Sequence, residues 1–164
     1  MQDDVYIGID PGAKGSICLL FPYLHEAIFI ATTDKPKEIL EKLEEVKREY
    51  DVRVIMIEDV HAIHGSAAGS SFSFGYNVGV VNTIAVASGI STDRVTPKKW
   101  QKTVGVRAKG PAIKQDVASI CDRLYPNVTI RGIRGGLHDG KSDSLMIAHY
   151  AYLKYNNLKI ETKE

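Results

Sequence analysis

Apolar positions in the first sixty residues come in short runs divided by turn formers. Residues 5–10 (VYIGID) are mostly β-branched or aromatic and end at Pro11-Gly12, the pattern of a buried strand closing on a turn. Residues 16–21 (SICLLF) and 26–31 (EAIFIA) follow at hairpin spacing, which predicts an antiparallel meander of three strands. The period then changes. Across 37–50, Ile39, Leu40, Leu43 and Val46 recur at helical spacing, with Thr33-Asp34 and Pro36 marking the entry. Residues 52–58 (VRVIMIE) are nearly continuous in apolar character, as in a central strand covered on both faces.

The later pattern is mostly helical. A small-residue stretch at 65–71 (GSAAGSS) reads as a loop, and 72–88 as a helix of small and apolar residues. A short strand is predicted at 90–95, helices at 97–105 and 112–124, a basic glycine-rich loop at 131–140, and a last helix at 142–155. No repeat or linker divides the chain, so residues 1–164 are read as one α/β domain, a five-stranded mixed sheet flanked by helices.

Composition narrows the classes. With 44% hydrophobic and 25% charged residues, a core forms without staples. Cys18 and Cys121 are far apart and lack metal-ligand spacing, which argues against zinc and for a reducing setting. No apolar run approaches the roughly 18 residues of a membrane span. The start, Met1-Gln2-Asp3-Asp4, is acidic, the reverse of a signal peptide, so a cytoplasmic location is expected.

Candidate chemistry lies in the carboxylates. Asp10 ends the first strand and Glu58 the fourth; if those strands are neighbours, both side chains emerge at one sheet edge, a common α/β ligand site. Asp59 points to the opposite face and is left out. Asp139 and Asp143, four apart at the start of the last helix, share a face if helical geometry reaches back to Asp139. Converging carboxylates repel one another, and Mg²⁺ or Mn²⁺ relieves that repulsion while suiting oxygen ligands. A pair of such ions supports phosphodiester hydrolysis. His138 is a candidate accessory group.

The net charge of +1 is uninformative, but its distribution is not. Between Arg94 and Lys114 the chain carries Lys98, Lys99, Lys102, Arg107 and Lys109 with no acidic residue, and Arg131, Arg134 and Lys141 add a second basic group near the carboxylates. This is the footprint of a phosphate-binding face. Trp100 is a candidate for stacking on a base, or a core residue. Phe72 and Phe74 raise the same question.

Three blocks in order, IGIDPGAKGS, IED and DGKSDSLMIAHY, resemble RuvC-type Holliday junction resolvases, closest in style to those carried by bacteriophages. The resemblance spans residues 5 to 155. It implies an RNase H-like fold, a homodimer and two-metal hydrolysis that nicks a four-way DNA junction symmetrically. Its acidic residues carry over to Asp10, Glu58 and Asp143. The family places an acid or histidine three residues before the last Asp, where this chain has Gly140; Asp139 is the nearest replacement and His138 the next. At the position of the family's wedging aromatic this chain has His61. The helix at 72–88, with Gly75 and Gly79, is the expected dimer interface.

Other readings stay open. A related nuclease acting on other branched DNA or structured RNA fits the same residues. An actin-like ATPase also begins with a strand, an Asp and glycines, but needs about twice this length. A DNA-binding module without catalysis is the third.

Overall fold

The computed structural model describes residues 3–12, 14–60 and 67–158. Strands β1 (Asp4–Asp10), β2 (Ser16–Phe21) and β3 (Glu26–Ala31) form the antiparallel meander. Helix α1 (Pro36–Glu49) crosses one face of the sheet and returns the chain to β4 (Asp51–Glu58), parallel to β1. Helix α2 (Ala68–Ala87) leads to β5 (Thr92–Val95), parallel to β4, giving the sheet order β3-β2-β1-β4-β5. Helix α3 (Pro97–Val104), a 3-10 turn at Gly110–Ala112, α4 (Ile113–Leu124) and α5 (Asp139–Tyr155) follow. The predicted mixed sheet of five strands flanked by helices is the one observed.

Alternation along the central strands builds two cores. Tyr6, Val54 and Met56 join Trp100, Val117, Cys121 and Leu145 beneath α3, α4 and α5. Val5, Ile7, Ile9, Ile55 and Ile57 join Ile39, Leu43, Val81 and Ile84 beneath α1 and α2. By the same alternation Asp10 and Glu58 leave the sheet toward α5. Asp59 leaves toward the other face, where its carboxylate lies 3.7 Å from Arg94. Gly8 decides how close α5 can come: a Cβ there would stand 2.2 Å from the Ser144 carbonyl oxygen and 2.3 Å from the Ala148 nitrogen. Only a residue without a side chain lets the helix backbone rest on β1.

Several boundaries differ from the expectation. Helix α1 begins at Pro36, so Thr33-Asp34 lie in the turn before it. Helix α2 begins at Ala68, which makes 68–71 helical instead of a loop; residues 65 and 66 lie outside the described residues, as does His61. Helix α5 begins at Asp139, three residues before the predicted start. The His138 carbonyl already accepts from Lys141 N (2.9 Å) and Ser142 N (3.2 Å). Gly140 argued locally against helix, but its backbone packs on the β1–β2 turn, and that contact fixes the first turn of α5. Both cysteines are buried and free. Among the described residues no helix is long and apolar enough to cross a membrane.

Candidate functional site

Asp10 and Glu58 each sit one residue beyond Ile9 and Ile57, the last paired positions of the parallel strands β1 and β4. The Asp10 carboxylate accepts from Gly12 N–H at 3.0 Å, in a turn further fixed by Thr32, whose hydroxyl donates to the Gly12 carbonyl at 3.2 Å. Glu58 accepts from the indole N–H of Trp100 at 2.7 Å. Helix α5, seated on Gly8, brings Asp143 into electrostatic reach of both.

The three carboxylates are half-buried, and their protonation shows the cost. Burial raises the Asp10 pKa above the usual carboxylate value, Gly12 opposes the shift, and Asp139 adds to it. Glu58 is pushed up to about 7 by burial and by Asp10, against the Trp100 hydrogen bond. Asp143 is pushed up to about 8, by burial first and then by Asp10, Glu58 and Asp139, with Lys114 opposing. From the described residues its carboxylate accepts no hydrogen bond.

Asp139 opens α5 and pairs with Lys114 of α4. Both His138 and Asp139 act on Asp10, His138 lowering its pKa and Asp139 raising it. The residue between Asp139 and Lys141 cannot carry an acid. A Cβ on Gly140 would stand 2.2 Å from the Lys14 carbonyl oxygen, inside the β1–β2 turn. A cleft of about 390 Å³ opens beside this contact, lined by Lys14, Gly15, Thr33, Leu137, His138 and Asp139.

Among the described residues, no group of three or more His, Cys, Asp or Glu side chains stands ready to hold a metal ion. The electrostatic effects of Asp10, Glu58 and Asp139 on Asp143 place the four acids in one neighbourhood, yet three of them are engaged elsewhere: Asp10 with Gly12, Glu58 with Trp100 and Asp139 with Lys114. As a donor set, oxygen ligands with unrelieved repulsion fit a hard divalent cation.

The basic residues divide. Lys98, Lys99, Lys102, Arg107, Lys109 and Arg134 are exposed. The loop bearing Arg107 is held by Asp116, which accepts from the backbone N–H groups of Arg107 and Ala108 at 2.7 and 2.8 Å. Lys141 is half-buried, its ammonium 5.3 Å from the centre of the Phe29 ring. Arg94 donates to Asn82 at 2.8 Å and faces Asp59, so it does not stand free for a phosphate.

Trp100 corrects the stacking expectation. It is 1% exposed, packed in the core, and its one polar atom is given to Glu58. A base cannot reach it. Phe72 is exposed and Phe74 half-buried, both on α2 on the sheet's other face, with no described contact to the carboxylates. Sequence reasoning also passed over Lys114 as the partner of Asp139. Apolar spacing of Trp100 and Val104 in α3 could have flagged Trp100 as core; nothing local distinguishes Lys114 from its basic neighbours.

No protein-family model matches the chain, and no curated protein matches it by sequence. Solved structures do match. Thermus thermophilus RuvC aligns with a TM-score of 0.60 at 16% identity, covering 94% of this chain and 98% of that one. T. thermophilus RuvC in complex with Holliday junction substrate gives 0.56 at 14% identity, over 94% and 97%. The yeast mitochondrial Holliday junction resolvase Ydc2 gives 0.50 at 14% identity, over 94% and 81%. Over nearly its whole described length, therefore, the chain has the RNase H-like fold of RuvC.

Proposed function

We propose that the chain is a divalent-metal-dependent endonuclease that resolves four-way DNA junctions. One observation supports the reading: Asp10 and Glu58 stand half-buried at the ends of β1 and β4, within electrostatic reach of half-buried Asp143, whose pKa both of them raise. Buried carboxylates that repel one another are expensive unless a cation is their function. Asp10, Glu58 and Asp143, joined by Asp139, would hold Mg²⁺ or Mn²⁺. When bound, such ions would activate water and stabilise the leaving oxygen of a phosphodiester. The chain's own groups do the rest. Trp100 fixes one Glu58 oxygen, Gly12 fixes Asp10, and Lys114 supplies positive charge beside Asp139 and Asp143. Exposed Lys98, Lys99, Lys102, Arg107, Lys109 and Arg134 hold the phosphate backbone, contacts that position DNA without reading its sequence.

The β1–β2 turn argues against a nucleotide phosphate loop. Two of its amides are spent within it, Gly12 N–H on Asp10 and Gly15 N–H on the Gly12 carbonyl at 2.9 Å. The Lys14 carbonyl and the Gly15 backbone also lie against Gly140 of α5.

A homodimer supplies two equivalent sites for symmetric nicks. Helix α2 supports this: Phe72 and Tyr76 are 76% and 62% exposed, and Gly75 and Gly79 would have open space around a Cβ. An apolar groove of about 400 Å³ runs beside Tyr76, Val80 and Pro36.

The test is incubation with a synthetic four-way junction and a linear duplex, with Mg²⁺, with Mn²⁺ and with chelator. Paired metal-dependent nicks on opposing junction strands are expected. Cleavage of flaps or RNA alone would keep the site and change the substrate. Tight binding with no cleavage under either metal would make the chain a binding module.

A further inference from the structure

Helices α4 and α5 are joined by residues 125–138, longer than the roughly two to eight residues that helix connections use. Part of the excess is an ordered hairpin. Arg131 and Leu137 form an antiparallel bridge, Gly132 N donates to the Gly136 carbonyl at 2.9 Å, and Gly135 N donates to the Gly132 carbonyl at 2.8 Å. Gly135 has φ +79°, a turn conformation that favours glycine.

The base of the hairpin is braced from three sides. The Arg131 guanidinium makes two hydrogen bonds, 2.8 and 2.7 Å, to the Asp122 carboxylate of α4. Ile130 is fully buried, and Leu137 packs against the core. His138 N donates to the Ile130 carbonyl at 3.0 Å, so the hairpin runs directly into Asp139 and the first turn of α5.

At the tip, Ile133 is wholly exposed beside exposed Arg134. One exposed isoleucine is ordinary by itself. Its mount is not: an apolar tip with a cation next to it, extending about 7 Å beyond the Arg131–Leu137 bridge, is fixed to the helix that carries Asp139 and Asp143. From residue 123 to 138 the chain has three arginines and no acidic residue. A polyanion is the partner this charge suits.

We propose that this hairpin is a nucleic-acid finger: Arg134 pairs with a phosphate of the strand entering the carboxylate site, and Ile133 packs on the face of an unstacked base at the branch. The assignment rests on the nuclease reading. Apolar side chains set against base steps, flanked by cations, are an established way of holding distorted DNA.

The experiment uses the full chain with Asp143→Asn, chosen to prevent cutting, and a four-way junction carrying 2-aminopurine beside the crossover. Ile133→Ser and Arg134→Gln are added singly, and anisotropy titrations are run at several salt concentrations. Because both side chains are exposed, neither change should shift Tm. Ile133→Ser should weaken junction binding about fivefold and abolish most of the fluorescence rise that reports unstacking. Arg134→Gln should make the salt dependence shallower by about 0.9 log unit and keep the fluorescence rise. Unchanged affinity, salt slope and fluorescence in both variants would overturn the finger while parent binding upholds the nuclease reading. A clear Tm loss in Ile133→Ser would also overturn it, by showing the tip to be packed. A parent that binds neither junction nor duplex would take down the nuclease reading and the finger together.

Discussion

The two faces of the sheet carry opposite deficits. Beneath α5 the core is closed: every residue from Leu145 to Ala151 is buried, and no large apolar side chain of that stretch is left over. The same face holds Asp10, Glu58 and Asp143, so what it lacks is positive charge. Beneath α1 and α2 the helices bury Ile39, Leu43, Val81, Ile84 and Ala85, with Leu40, Val46 and Val80 partly covered. There Phe72, Tyr76 and Val86 stand exposed, so what that face lacks is a second apolar surface. On the proposed reading, a divalent ion would meet one deficit and another polypeptide surface the other.

The comparison breaks first at Gly8. Gly8→Ala would drive a Cβ into backbone atoms of Ser144 and Ala148, which cannot rotate away. Helix α5 must lift, and an overpacked core costs about 1–3 kcal/mol or more. The expected result is a Tm fall of more than about 8 °C, or loss of the cooperative transition; a Tm within about 2 °C of the parent would show that α5 is not seated on β1.

Asp143→Asn removes the charge but keeps the shape. Junction cleavage should fall by at least about 10³-fold, measured in single turnover with Mg²⁺; a loss under tenfold would remove Asp143 from the site. Stability should move the other way. A carboxyl whose pKa rises on folding retains a proton that the unfolded chain releases, so folding gains most below the unfolded pKa. That gain is lost as pH rises through the folded values, about 7 for Glu58 and about 8 for Asp143. Without metal, Tm should therefore fall between pH 6.5 and 8.5, added Mg²⁺ should restore it, and Asp143→Asn should flatten the slope. His149 works oppositely: burial lowers its pKa to about 4, so its contribution is lost as pH falls below 6.5. Staying above pH 6.5 separates the two. A metal-free Tm that is level or rising across the window would contradict the buried-charge account.

Much of this was legible in the residues. The five strands, their mixed order and the two strand-end acids follow from alternation and run length, which the structure keeps because both faces are covered. Asp143 was marked by its spacing from Asp139, and the resemblance added the RNase H-like fold. What local pattern could not show is contact across the sequence. Gly140 belongs to a helix because the β1–β2 turn packs on it, and the same contact explains why no acid stands there. Trp100 was as easily a stacking residue as a core one until Glu58 was found on its indole N–H. Lys114 gained a role only when α4 lay beside the start of α5.

The other face can be sharpened with a change that leaves folding alone. Tyr76 is mostly exposed and Gly75 and Gly79 stand in open space, so none of them helps close the monomer. Tyr76→Asp puts a charge on the α2 surface at negligible cost to the single chain. In a dimer built on α2 that charge would be buried without a partner, which is costly. Sedimentation equilibrium should show at least about tenfold weaker self-association, with the Tm of the diluted monomer within about 1 °C of the parent. An unchanged dimer would move the interface off α2. A lower monomer Tm would mean that Tyr76 belongs to the core after all, and the contrast between the closed face and the open one would fail at its clearest point.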